Sequence, residues 1–202
     1  MKKLTSTLPN MLISLGTVTI LAGALLGWMY TLTKEPIARQ MQEQQEKAIS
    51  DVTPAFDNNP EAQKWTTEIK GSTFTVYPAR KNGILVGAAV KGSTMEGFAG
   101  EITLMCGFTA DGTVKDYRVL QQAETPGLGT KMETWFRDPT AARSVLEKNP
   151  ATTDFHVSKD GGAIDGITAA TISSRAFLKV MRRAFDAYKE YQNKIDTQKE
   201  EK

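Results

Sequence analysis

The chain of 202 residues is long enough for one globular domain and an appendage, and 40% of it is hydrophobic. A net charge of +2, with no basic patch interleaved with aromatics, gives no argument for nucleic acid as a partner. Cys106 is the single cysteine, so no intramolecular disulfide can form and any extracytoplasmic domain needs a core of its own.

The first element is a membrane anchor. No charged residue occurs from Leu4 to Thr33, and residues 11 to 32 are mostly Leu, Ile, Val, Ala, Gly and Met. A bilayer core needs roughly 20 such residues in a helix. Trp28 and Tyr30 near its end fit an interfacial belt. The alternative is a cleaved signal, with Lys2 and Lys3 as its positive start and Ala22-Gly23-Ala24 as a weak cleavage site. The apolar run outlasts that site, which favours an uncleaved anchor. Lys34, Arg39 and Lys47 follow the span, so counting basic residues does not settle orientation. The signal-anchor pattern favours the N-terminus inside and the domain outside.

Residues 34 to 50 read as a polar helix leaving the membrane, with Glu35-Pro36 permitting a boundary or kink. Gln40 to Lys47 is almost wholly polar and reads as a solvated stalk. Asp51 to Pro60 is a loop. Two hairpins follow. Ser72 to Ala79, the Asn82-Gly83 turn and Ile84 to Val90 form the first, because both turn residues tolerate positive φ. Ile102, Leu104, Cys106 and Phe108 alternate along a half-buried strand, and Asp111-Gly112 returns the chain through Val114 to Leu120. Cys106 reads as a buried core thiol.

Glu124 to Lys131, ETPGLGTK, demands a turn at Pro126-Gly127 and opens the backbone around Leu128. Such a loop either presents backbone N–H groups to an anion or ring edge, or is a plain strand-to-helix turn. Met132 to Phe136 and Pro139 to Glu147 read as short helices, the second capped by Asp138. His156, the only histidine, lacks partners in ligand spacing apart from Asp154, so it reads as structural. Lys159 to Gly162 is a turn.

Asp165 to Ser174, DGITAATISS, then packs four hydroxyls and two adjacent alanines before the clearest helix in the chain. Phe177, Val180, Met181, Ala184, Phe185 and Tyr188 make one apolar face, and Ser173 or Ser174 is the natural N-cap. Free N–H groups and the positive end of the helix dipole could stabilise a phosphate there. Hydroxyl clusters before amphipathic helices are common and most of them only cap, so on local chemistry alone capping is the preferred reading. Asp165 suits either a capping role or recognition by a modifying enzyme. The tail from Gln192 is polar and reads as frayed.

Asp165-Gly166-Ile167-Thr168-Ala169-Ala170-Thr171 resembles the signature Asp-x-x-Ser/Thr-Gly-Ala-Thr, at which a flavin transferase esterifies FMN onto a threonine. Ala169 replaces the usual glycine, and is strained if that position needs positive φ. The anchor, Gly97-Phe98-Ala99-Gly100-Glu101-Ile102, ETPGLGTK and DGITAATISS occur in an order that resembles the G subunit of the Rnf-type electron transport complex. The related C subunit of the sodium-translocating NADH:quinone reductase is usually longer; a non-redox anchored binding module is a further alternative.

The resemblance implies an α+β fold, one transmembrane helix and a largely antiparallel sheet packed by helices. It divides the chain into an anchor over 1–33, a stalk and linker over 34–70, an FMN-binding domain over 71–192 and a polar tail over 193–202. It implies covalent FMN on Thr171. Asp165, Gly166, Thr168, Ala169, Ala170 and Ser173 would shape the motif, with Glu124, Thr125, Gly127, Leu128, Gly129, Thr130 and Lys131 near the flavin. Neither a catalytic acid–base pair nor a metal is expected. Implied partners are the other subunits of the complex, a flavin transferase for maturation and membrane lipid. The location is the cytoplasmic membrane, with the domain on the periplasmic side, in a complex that couples ferredoxin/NAD electron transfer to ion translocation.

Overall fold

A computed structural model of the chain describes residues 7–140 and 142–200. Lys2 and Lys3, Ala141 and the last two residues of the tail lie outside that range. The chain divides into a first unit ending at Gln44 and a second from Gln45.

Helix α1, Leu8–Val52, spans 45 residues and contains an 18-residue window of mean hydropathy 1.9, long and apolar enough to cross a membrane. Its large apolar side chains, Leu12, Ile13, Leu21 and Leu26 among them, are exposed on every side. That is the expected surface of a lipid-facing helix. Pro36 lies inside the helix and does not end it. A proline removes one intrahelical N–H, and here the ladder continues past the gap. Residues 40–44 are exposed, but the stretch read as a polar stalk helix is not solvated to its end: Gln45 is half-buried, and Ala48 and Ile49 are core residues.

The second unit is α+β, as the sequence predicts. Its sheet contains β1 (Trp65–Ile69), β2 (Ser72–Lys81), β3 (Ile84–Thr94), β4 (Ile102–Thr109) and β5 (Val114–Gln121). All neighbours are antiparallel, in the order β1-β2-β3-β4-β5. Asn82 and Gly83 have φ of 52° and 79°, the left-handed pair that a two-residue hairpin needs. β1 lies in the stretch read as linker; Lys70 and Gly71, also at positive φ, turn it into β2. Its pairing stops at Trp65↔Val76. Pro78, with no N–H to donate, therefore falls where β2 has lost its neighbour. The Asn58 side chain covers that edge, donating to Pro78 O at 2.9 Å and accepting from Arg80 N–H at 2.8 Å.

Alternation along the strands sends two sets of side chains to opposite faces. Phe74, Val76, Val90, Leu104, Cys106 and Phe108 join the main core with helix α3, Thr171–Glu200. Tyr77, Ala89 and Met105 meet Ala48, Ile49 and Val52, the last turns of α1. Phe177 of α3 stacks on Phe136 at 4.3 Å between centroids and meets Tyr117 edge-on at 4.9 Å. Full burial of each such ring contributes about 1.5–3 kcal/mol. Cys106 is fully buried beside Met181 Sδ, 3.1 Å away, and burial pushes its thiol pKa up. It is the inert core thiol expected.

Three local expectations change. Only Met132–Trp135 of the first short helix forms, as α2. The described part of 139–147 is not helical. Its backbone is taken by other segments: Val145 N–H bonds Phe136 O, and Glu147 N–H bonds Val114 O on the free edge of β5. The Asp138 carboxylate does accept from Thr140 N–H at 2.9 Å, but it closes a local turn and Glu147 sits at φ 59°. Finally, α3 continues to Glu200, beyond its apolar stripe, where a frayed tail was expected.

Candidate functional site

The motif loop is bound from three sides before α3 begins. Asp165 N–H donates to Ala142 O at 2.7 Å, and Asp165 O accepts from Trp135 Nε1–H at 2.9 Å. Its carboxylate caps nothing among the described residues, contrary to one of the roles expected of it. Ser174 is fully buried, accepts from Ile167 N–H at 2.8 Å and donates to Ala170 O at 2.9 Å. The helix starts at Thr171, so Ser173 and Ser174 sit inside its first turn rather than at the N-cap. Ser174 ties the loop back from within.

Ala169 has φ 62°, in the left-handed region. The substitution of alanine for the signature's glycine thus carries strain of about 1–2 kcal/mol. Ala169 is exposed and Ala170 buried. Gly166 is tight: a Cβ there would lie 3.3 Å from Val157 Cγ1 and 3.4 Å from Ser174 Oγ.

Two clefts meet at Thr171. The first, of about 310 Å³, is lined by Phe98, Glu124, Thr125, Leu128, Gly129 and Ala169 to Ser173. Phe98, Leu128 and Ile172 are 67%, 38% and 48% exposed, so this cleft presents unsatisfied apolar surface. The second, of about 280 Å³, is more polar; Trp135, Arg143, Lys159, Asp165, Gly166, Thr168 and Thr171 contribute to it. Arg143 lies over the Trp135 ring at 4.1 Å and pairs with Asp138 at 2.9 Å. Lys159 Nζ lies 3.5 Å from Thr171 Oγ1. The turn that carries Lys159 is held to α3 by a two-point pair, Arg175 to Asp160, at 2.6 and 2.7 Å. The Arg175 hydrogen bonds hold the Asp160 carboxyl below its ordinary pKa.

Glu124, Thr125, Leu128 and Gly129 of ETPGLGTK line the apolar cleft, whereas Gly127, Thr130 and Lys131 line neither. Gly127 turns at φ 75° and donates its N–H to Thr130 Oγ1 at 3.0 Å, so these two shape the loop. Lys131 is exposed and ends the short 3-10 turn Gly129–Lys131. Glu124 is buried and accepts a hydrogen bond from Ser173 Oγ–H at 2.7 Å. Phe98, Ile172, Trp135, Arg143 and Lys159 were absent from the sequence-derived set. The signals were faint: an aromatic amid glycines for Phe98, and a basic turn just ahead of the motif for Lys159. Exposed His156 pairs with Asp154 outside both clefts.

The family model of the FMN-binding domain matches residues 97–186, and that of the RnfG N-terminal region matches residues 3–52. Every residue lining the two clefts falls within the first match. The G subunit of the ion-translocating oxidoreductase complex of Aliivibrio fischeri is 33% identical over 202 residues, covering 95% of each chain. The chain belongs to this G-subunit family. The Vibrio cholerae relative of the same name is 32% identical over 86% of this chain and 87% of its own. The Pectobacterium atrosepticum relative is 34% identical over 76% and 77%. The N-terminal match covers the apolar part of α1, and the FMN-binding match starts at the Gly97-Phe98 loop and ends inside α3.

Proposed function

We propose that this chain is a membrane-anchored electron carrier, holding FMN through a phosphoester on Thr171 and relaying electrons inside an Rnf-type ion-translocating complex. The observation that carries the proposal is the position of Thr171. Its hydroxyl lies at the start of α3, where an apolar and a polar cleft meet, 3.5 Å from the Lys159 ammonium.

The residues present fit the cofactor. Phe98, Leu128 and Ile172 offer an apolar bed for a ring. Lys159 and the free N–H groups of α3's first turn offer positive potential to a phosphate diester. Bound FMN supplies the one-electron and two-electron redox chemistry; the chain supplies position and electrostatics. In maturation, a flavin transferase would present a nucleotide donor in which FMN is linked through a phosphoanhydride. Thr171 Oγ1 loses its proton and forms the new O–P bond as the phosphoanhydride bond breaks and the rest of the donor leaves on its own phosphate. The Asp165 carboxylate, free of hydrogen bonds to described residues, is available for recognition by that enzyme. The three relatives are all named G subunits, which favours the Rnf reading over the quinone reductase one.

The remaining subunits of the complex are the expected electron partners, between ferredoxin and NAD. The anchor lies in the cytoplasmic membrane with the domain on the periplasmic side, and an active C-terminal alkaline phosphatase fusion tests that orientation. The attachment is tested by co-expression with a flavin transferase and in-gel fluorescence after boiling. The wild-type band should fluoresce, Thr168→Ala should still fluoresce, and Thr171→Ala should be dark. A fluorescent Thr171→Ala band refutes the assignment.

A further inference from the structure

Glu124 is a carboxylate in an unusual place. It is 4% exposed, yet it lines the apolar cleft beside Thr171. Its two oxygens take one donor each: Ala99 N–H on Oε1 at 3.3 Å and Ser173 Oγ–H on Oε2 at 2.7 Å. Both partners come from other parts of the chain, so Glu124 joins the Gly97–Gly100 loop, its own loop and the first turn of α3. Two glycines grip it. A Cβ on Gly97 would lie 2.6 Å from Oε1, and one on Gly129 would lie 2.6 Å from Oε2. Among the described residues no Lys, Arg or His pairs with it. A group meant only to join three loops could be a neutral amide. Here the joint is a carboxylate with no compensating cation, held rigidly where solvent cannot screen it.

We propose that Glu124 is a positioning residue that sets the electron affinity of the cleft beside Thr171, its carboxylate lowering the reduction potential of a flavin carried there. This rests on the reading that FMN is carried at Thr171. The relayed event is balanced without atom transfer: one electron enters from the donor subunit, which is oxidised, and one leaves to the acceptor, which is reduced. The first electron that enters adds one negative charge to the cleft before any proton follows it. Glu124 opposes that charge, and Ser173 moderates the opposition by donating to Oε2. Ala99 N–H moderates it from the other side.

The test is the flavin midpoint potential of the full-length, flavinylated protein, by spectroelectrochemical titration of the wild type, Glu124→Gln and Ser173→Ala. Glutamine preserves the joint: its carbonyl accepts from Ala99 N–H, and its NH₂ donates to Ser173 Oγ, whose hydroxyl can turn to accept. Glu124→Gln should favour the reduced flavin at least tenfold, a rise of about 59 mV for one electron. Ser173→Ala strips a donor from the charge and should lower the potential. A purely structural role would move both variants the same way. A smaller rise or a fall in Glu124→Gln, or no change or a rise in Ser173→Ala, overturns the proposal. If Glu124→Gln does not fold, Ser173→Ala decides alone by the same sign. Intact mass is read first in every sample. A wild-type chain without FMN would overturn the Thr171 reading itself, a result distinct from a flavinylated chain whose potential fails to move.

Discussion

Ser174→Ala tests whether the motif loop is held from inside the helix that follows it. The serine hydroxyl makes two hydrogen bonds, to Ile167 N–H and Ala170 O. Their losses are not equal. Ala170 O keeps a second partner, the Ser174 backbone N–H at 3.0 Å. Ile167 N–H has no replacement, and Ile167 is only 2% exposed. An orphaned buried donor costs about 1–3 kcal/mol. Losing one oxygen atom from the fully buried Ser174 leaves a cavity smaller than a methyl group, a minor addition to that cost. The expected destabilisation is therefore about 2 kcal/mol, or roughly 4–8 °C in Tm for a domain of this size. Denaturant unfolding of the full chain in detergent, followed by tryptophan fluorescence, should show a lower midpoint at unchanged slope. Flavinylation should also fall, since Thr168 to Ala170 would no longer be fixed. A loss under about 0.5 kcal/mol would show that the loop is held by its other bonds and that Ser174 is a bystander.

Two further outcomes follow from backbone strain and burial. Ala169→Gly removes about 1–2 kcal/mol of left-handed strain, offset by about 0.5–1 kcal/mol of glycine chain entropy. Its unfolding midpoint should hold or rise, and a loss of more than about 1 kcal/mol would contradict the left-handed φ of that residue. Burial, with a smaller push from Glu61, raises the Tyr77 pKa to about 12. A raised folded value favours the protonated form, so this contribution to stability is complete below the unfolded value of about 10 and is lost as pH climbs to about 12. Burial pushes Tyr117 and Tyr188 up further. In a tyrosinate absorbance titration, Tyr77→Phe should remove the first of the buried steps; loss of a step near pH 10 instead would contradict the burial.

Local grammar made much of this fold legible. Asn82-Gly83 and Asp111-Gly112 announce their turns because few residues accept positive φ. The stripe from Phe177 to Tyr188 announces α3 because its period is that of one helix face. The apolar run of α1 needs no partner to be read. What stayed hidden depends on partners far along the chain. β1 is a five-residue edge strand whose pairing with β2 defines it. The stretch after Asp138 has helix signals, but its backbone N–H groups at Val145 and Glu147 bond Phe136 and Val114 instead of a helical turn of their own. Ser174 looked like a cap and proved to be a tie, because its acceptor role requires Ile167 to fold back over it. Glu124 could be named from its motif, but not its burial or its donors, which lie 25 and 49 residues away. Phe98 and Lys159 line the clefts only once three loops converge on Thr171.

The central claim is that Thr171 carries a covalent flavin, and intact mass with peptide mapping of the chain purified from its native membrane tests it most directly. The account predicts one FMN added less one water, located on the peptide that contains Thr171. An unmodified mass beside an active flavin transferase, or a flavin mapped to another residue, would contradict it.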